Sequence, residues 1–241
     1  MIVQACINGA RPREFHPRLP LTAQTMASDA AACVAAGAAE LHIHPRSIDG
    51  RESLAAVNAT VLAVRQACPG TLVGVSTGAW IEDDVERTRT AIGGWRELPD
   101  YASVNLSEVD APGVMELLRN RGVGIEAGLA TLADAERFVG LADHGRVLRI
   151  LIEIDIRDLP AALDEAHGIA AVLERAGVRR PILLHGVDAT VWPFVELAHR
   201  KRWSTRVGLE DGKTLADGRT ARDNAEIVAA AVAIFRPVPA G

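Results

Sequence analysis

Short apolar runs of β character alternate with longer stretches of helical period along the whole chain. Residues 2–8 form the first apolar run. A helical pattern follows over residues 22–36, opened by Pro20-Leu21-Thr22 and closed by Gly37. Further β-like runs fall at residues 40–44, 72–76, 101–106, 122–126, 146–155, 181–185 and 205–209. Helical patterns separate them at residues 53–67, 82–90, 112–120, 132–142, 160–176 and 191–200, and a last one covers 219–234. Strands that alternate with helices imply a parallel sheet. Eight such units without a composition break predict one α/β domain over residues 1–241, a closed (β/α)8 TIM barrel. A doubly wound open sheet is the alternative.

Composition agrees with that architecture. Of the 241 residues, 49 % are hydrophobic but only 4 % aromatic, so Ala, Val, Leu and Ile must do most of the packing. This is usual where helices cover a parallel sheet. The formal charge of −5 and the lack of a long basic run argue against nucleic acid as a partner. The local cluster His199-Arg200-Lys201-Arg202 could meet a phosphate group, but its plainer reading is a solvated helix end. Three cysteines with no metal-type spacing give no disulfide framework, so a reducing cytoplasm is expected. No apolar run approaches the roughly 18 residues of a membrane span, and the N-terminus lacks the pattern of a signal peptide.

In a barrel enzyme the chemistry gathers at the C-terminal ends of the strands. The predicted strand ends carry Asn8, His42 and His44, Ser76 and Thr77, Asn105 with Ser103 two residues inside, Glu126, Glu153 and Asp155, His185, and Glu210 and Asp211. Loops begin there and loops are polar, which explains one or two such residues. It explains less well a full set rich in His, Glu and Asp after strongly apolar runs.

His42-Ile43-His44 is the sharpest local signal. Side chains two apart on a strand face the same way, so both imidazoles can enter the barrel mouth and share one metal. Neutral imidazole suits zinc and other first-row metals, and a catalytic zinc commonly takes three protein ligands. Glu210 is the expected third ligand. In Arg206-Val207-Gly208-Leu209-Glu210-Asp211, Arg206 and Glu210 can share the inward face, and Asp211 is a candidate general base beside the arginine. A structural Arg–carboxylate pair is the plainer reading of the same residues. Ser76-Thr77-Gly78 offers hydroxyls and close backbone approach for a carboxylate or oxyanion, although turn chemistry alone selects the same residues. Glu126 and Glu153 are open between metal support, substrate anchoring and partnership with buried arginines.

Taken together, Asn8-Gly9-Ala10, Pro20-Leu21-Thr22, Ala36-Gly37-Ala38, His42-Ile43-His44-Pro45-Arg46, Ser76-Thr77-Gly78 and Arg206-Val207-Gly208-Leu209-Glu210-Asp211 make the chain resemble the β-keto acid cleavage enzymes, the family of the 3-keto-5-aminohexanoate cleavage enzyme of lysine fermentation. The resemblance runs from the first strand to the last. It implies a zinc-dependent barrel, usually a homo-oligomer, that converts a β-keto acid and acetyl-CoA into acetoacetate and a new acyl-CoA. It implies His42, His44 and Glu210 as zinc ligands, and Asp211 as base assisted by Arg206. Ser76 and Ser103 are the implied carboxylate contacts, and Glu126 a further active-site residue. Thr77, Asn105 and Asn8 complete the expected substrate-binding set. No glycine-rich dinucleotide fingerprint follows the first strand, which fits chemistry without a redox cofactor.

Two departures bear on the substrate. Arg11 stands where the lysine-pathway enzyme has an acidic residue that meets an ammonium group. A guanidinium there disfavours 3-keto-5-aminohexanoate and favours a substrate anionic at its distal end. The loop after the seventh strand, His185-Gly186-Val187-Asp188, is short for the family and puts the coenzyme A site in question. A metal-dependent hydrolase on the same barrel is a competing reading, with His185 as a later-strand ligand. A binding protein that keeps the barrel without the chemistry is another.

Overall fold

The computed structural model describes residues 1–235, so residues 236–241 of the expected domain lie outside the described residues. The outward faces of the strands explain the architecture. Val3 and Ala5 on β1 (Val3–Cys6), Leu41 and Ile43 on β2 (Glu40–Ile43), and Val73 and Val75 on β3 (Leu72–Ser76) are all buried apolar positions of period two. The pattern continues with Ala102 and Val104 on β4 (Tyr101–Asn105), Ile125 and Ala127 on β5 (Gly124–Leu129), and Ile150, Ile152 and Ile154 on β6 (Arg149–Ile154). Leu184 on β7 (Ile182–Gly186) and Val207 on β8 (Ser204–Val207) complete it. These residues pack under the helices in one continuous core. The eight parallel strands pair in chain order, and β8 pairs back onto β1 through Gln4 and Arg206, closing the barrel.

Helices α1 (Ala23–Ala35), α2 (Val57–Ala67), α3 (Val85–Gly93), α4 (Ala111–Asn120), α5 (Leu132–Val139), α6 (Leu159–Arg175), α7 (Val191–Lys201) and α8 (Asn224–Phe235) follow the strands in turn. Their boundaries differ from the sequence pattern where a cap decides. The Thr22 hydroxyl accepts from Thr25 N, so α1 starts one residue later than expected. The Asp84 carboxylate accepts from Arg87 N, which moves the start of α3 past residue 82. Residues 54–56 form a separate 3-10 turn ahead of α2. The basic cluster at the end of α7 is a solvated helix terminus: Arg202 caps it in the left-handed conformation and Arg200 reaches Glu196 at 3.7 Å. Among the described residues no helix is long and apolar enough to cross a membrane.

The barrel interior is mostly polar, with Leu151 and Leu183 as apolar members. Gln4 crosses it to donate to the Tyr101 hydroxyl at 2.8 Å and to Glu126 at 2.9 Å. Arg149 meets Glu126 at 2.9 Å and also pairs with Glu40. The Tyr101 hydroxyl donates to the Leu41 carbonyl at 2.7 Å, and its ring fills the space over Gly74. A Cβ at position 74 would lie 2.0 Å from that ring. Gly74→Ala is therefore expected to destabilise the protein by about 1–3 kcal/mol through overpacking. Thermal melting checks this, with a loss of roughly 2–4 °C per kcal/mol for a chain of this size. An unchanged midpoint would show that Tyr101 does not hold this position.

Candidate active site

The polar interior opens at the C-terminal end of the strands into a cavity of about 500 Å³. Its lining includes His42, His44, Ser76, Ser103, Asn105 and Arg206 with Glu210 and Asp211. Arg11 contributes from the loop after β1, and Trp80, Glu153, Asp155 and His185 complete the floor and walls.

On β2 the period-two expectation holds in space. His42 Nε2 and His44 Nε2 lie 3.2 Å apart, and Glu210 Oε1 is 3.3 Å from His44 Nε2. One potential ligand atom from each of the three lies within 4.8 Å of the others. β2 ends at Ile43, one residue short of the expected limit, so His44 needs other support. Asn8 supplies it: its Nδ2 donates to the His44 carbonyl at 2.8 Å, and its Oδ1 accepts from the His44 amide at 2.9 Å. Asn8 is thus a backbone clamp for His44 and does not line the cavity.

The ring of His44 is fixed from behind. Its Nδ1 meets Glu52 at 2.5 Å, and the second oxygen of Glu52 accepts from Trp80 Nε1 at 3.0 Å. A carboxylate on Nδ1 sets the tautomer that leaves Nε2 free to bind a cation. Trp80 reaches this position because its indole lies over Gly78, where a Cβ would fall 2.3 Å from the ring. Glu52 and Trp80 were missed in the sequence. Both come from connecting segments, where no strand period marks them.

Glu210 is placed by the turn that ends β8. Asp211 N and Gly212 N both donate to Gly208 O at 3.0 Å, which turns Glu210 and Asp211 back over the barrel. Gly9 opposes Glu210 with φ at 53° and no side chain; a Cβ there would lie 2.4 Å from Glu210 Cγ. Beneath both acids sits Arg206, 3 % exposed. Its Nη2 is 2.7 Å from Glu210, 3.2 Å from Glu153 and 3.4 Å from Asp211.

The electrostatics suit a cation. Burial opposes charge on Glu210, but Arg206 and the two histidines outweigh it and hold the carboxyl well below its ordinary range. Burial lowers His42 to about 3, so its imidazole is neutral. Burial also works against charge on His44, yet Glu210 and Glu52 lift it to about 9. The field that stabilises a proton there would stabilise a metal ion. A further observation fits: among the described residues, Glu210 Oε2 is buried without a partner. Two imidazoles and one carboxylate match zinc or a neighbouring first-row metal.

Asp211 is 1 % exposed and bound on both oxygens. Oδ1 is 3.2 Å from His185 Nδ1, and Oδ2 accepts from the Cys6 thiol at 2.7 Å. His185 in turn meets Glu153 through Nε2 at 2.9 Å. Burial and Arg206 oppose charge on His185, but Asp211 and Glu153 outweigh them and raise it to about 9. Burial likewise raises Glu153, but Arg206 prevails and takes it down to about 2. His185 therefore bridges two acids and does not join His42, His44 and Glu210 as a further ligand.

The remaining expected residues separate. Ser76, Ser103 and Asn105 line the cavity, but Thr77 does not: its hydroxyl donates to Ser103 O at 2.7 Å and orders that strand end. Glu126 is a correction. β5 runs three residues beyond it, to Leu129, because Ala127 and Leu129 still pack outward. Glu126 therefore lies below the rim among Gln4 and Arg149, away from the cavity lining. Asp155 lies just past the end of β6, on the lining. Arg46 leaves the strand series and donates to the carbonyls of Gly9, Gly50 and Arg11. Arg11 is on the lining, but Nε donates to Glu210 O at 2.9 Å and Nη2 to Asp211 O at 3.1 Å.

Comparison with known proteins gives a consistent pattern. The chain is 33 % identical over 81 residues to the 3-keto-5-aminohexanoate cleavage enzyme of Acetoanaerobium sticklandii, covering 32 % of this chain and 30 % of that protein. It is 32 % identical over 91 residues to the enzyme of the same name from Fusobacterium nucleatum subsp. nucleatum, covering 36 % and 34 %. The matched segments thus span about a third of these curated relatives. Among solved structures, ObcA has a TM-score of 0.72 at 18 % identity, over 88 % of this chain and 62 % of that one, which supports the shared fold. ObcA was solved as a binary complex with oxaloacetate and as a ternary complex with a C4-CoA adduct and oxalate. A family model for the beta-keto acid cleavage enzyme matches residues 1–139 and 156–239, nearly the whole chain, and the chain belongs to that family.

Proposed function

We propose that this protein is a zinc-dependent enzyme that converts a β-keto acid and acetyl-CoA into acetoacetate and a new acyl-CoA. The observation that carries this reading is the meeting of His42, His44 and Glu210 on one cavity wall, beside the buried pair Arg206 and Asp211. The family, the names of its curated relatives and the keto acid and CoA complexes of ObcA support the same substrate classes. In this reading the protein works as a cytoplasmic homo-oligomer, as members of the family commonly do.

His42, His44 and Glu210 would hold the metal, which when bound supplies Lewis-acid polarisation of the substrate ketone. The chain's own residues do the rest. Asp211 takes a proton from the CH2 group between ketone and carboxylate, the most acidic C–H of a β-keto acid. His185, Arg206 and the Cys6 thiol fix its orientation. Ser76 and Ser103 present hydroxyls to the substrate carboxylate, with Thr77 ordering Ser103 and Asn105 beside them. The carbon so activated bonds to the thioester carbonyl. The bond from that carbon to the original ketone carbon then breaks, and the CoA sulfur passes to the released acyl group. Acetoacetate recovers one proton at its CH2, so the group that removed the proton also returns it.

Three outcomes are expected. Chelation of the metal should abolish acetoacetate formation, and zinc should restore it; full activity in metal-free protein would remove zinc from the reaction. Asp211→Asn should keep its metal content and lose about 10²–10⁴-fold in kcat, the usual range for a general base. An active Asp211→Asn would assign the proton transfer elsewhere. Glu52→Gln should weaken zinc binding by roughly 10–100-fold through loosening of His44. Competition with a zinc-sensitive dye measures this, and wild-type affinity would show that Glu52 has no part in the metal site.

A further inference from the structure

The proposed reaction leaves one arginine at the cavity mouth without a task. Arg157 follows β6, and its side chain is 73 % exposed, yet it lines the same cavity as His44 and Asp211. Among the described residues its guanidinium has one partner, Asp188, with Nη2 at 3.1 Å from Oδ2. Arg11 takes the other oxygen of Asp188 at 3.2 Å. Two guanidinium groups therefore share one carboxylate. Asp155, also on the lining, has its charged neighbours deeper in the site, at Glu153 and His185.

The two arginines differ in what they have left to give. Arg11 is committed: it donates to the carbonyls of Glu210 and Asp211 and lies 4.3 Å over the Phe15 ring. Its side chain is 23 % exposed. Its work is to lash down the turn that carries the metal ligand and the base. Arg157 has five N–H donors and engages one amino nitrogen. The carboxylate that anchors it is rigidly placed. Asp188 N donates to Asp211 O at 2.8 Å, and Asp188 itself sits in the left-handed region with φ at 48°. The free part of the Arg157 fork is thereby held near the backbone of the proposed base, at the end of the cavity remote from β2.

We propose that Arg157, rather than Arg11, forms a subsite for a second carboxylate at the far end of the keto acid. The preferred substrates are then β-keto dicarboxylic acids. A planar guanidinium with two adjacent free donors matches a carboxylate edge on. This inference rests on the cavity being a β-keto acid site.

The test uses the full-length, zinc-loaded protein without acetyl-CoA, so that no turnover occurs. Binding of 3-oxoadipate and of 3-oxohexanoate is measured by titration calorimetry; the two have the same chain length and differ in the terminal carboxylate. The wild-type protein should prefer 3-oxoadipate by about tenfold, the scale of one partly exposed charge-assisted contact. Arg157→Gln should bring the two acids to within about twofold of each other, and Arg157→Lys should recover only part of the preference. Thermal melting of the variants establishes that they fold, which exposure of the side chain makes the expected result. Equal affinity in the wild-type protein, or a preference that survives Arg157→Gln, overturns the inference. A parallel titration with acetyl-CoA tests the competing source of anionic groups: if Arg157→Gln weakens acetyl-CoA alone, the guanidinium serves its phosphates and the inference is again wrong. A carboxylate preference lost in Arg157→Gln, with no acetoacetate formed when acetyl-CoA is added, would keep the subsite and reject the cleavage reaction. Failure of both acids to bind would reject the two together.

Discussion

Arg206 carries its charge inside the barrel, and three carboxylates, one from β6 and two from the turn after β8, reach it there. An ion removed from water costs several kcal/mol unless partners replace the lost hydration. Glu153, Glu210 and Asp211 are those partners, and they depend on the guanidinium in turn, because three acids cannot gather at such depth unopposed. The cluster keeps a surplus of negative charge that faces His42 and His44. Arg206 thus makes an acidic pocket tolerable to the fold without cancelling the field that a divalent cation requires.

The same logic extends down the barrel. Barrels of this type commonly fill their centre with layers of branched apolar side chains. Here the lower interior holds Gln4, Tyr101, Glu126 and Arg149, and each finds a partner across the axis or on a neighbouring strand. The hydrophobic contribution comes instead from the outer faces of the strands and the helices that cover them. Polar pairing fixes direction as well as energy, so the floor beneath the cavity is oriented rather than merely filled.

How much of this was legible follows from which residues carry a period. Outward-facing Ile, Val, Leu and Ala repeat every second residue because helices cover them, and that pattern gave the strands and their order. His42 and His44 share the same period, so their convergence was readable, and Glu210 and Asp211 followed from their place at the end of β8. Limits set by caps and turns were not readable: Asp84 decides a helix start through one side-chain bond, and Thr22 through a reciprocal pair with Thr25. Glu126 looked terminal because its polarity interrupts an apolar run, whereas it belongs to a polar layer lower in the barrel. Glu52, Trp80, Asp188 and Arg157 come from loops, where nothing in the residue pattern announces what they will touch. Arg11 was visible as a charge, but besides Asp188 its hydrogen-bond partners are backbone carbonyls, which every residue possesses and no sequence distinguishes.

Gly9 yields its side-chain space to Glu210, so the loop after the first strand is shaped around a residue that follows the last. The ribosome makes these two segments some two hundred residues apart. Until β8 emerges and closes against β1, His42 and His44 lack Glu210, and Asp211 has no place beside Arg206. The three-residue site is therefore assembled only at ring closure. The candidate site thus doubles as the seam of the barrel: the contact that completes one also closes the other.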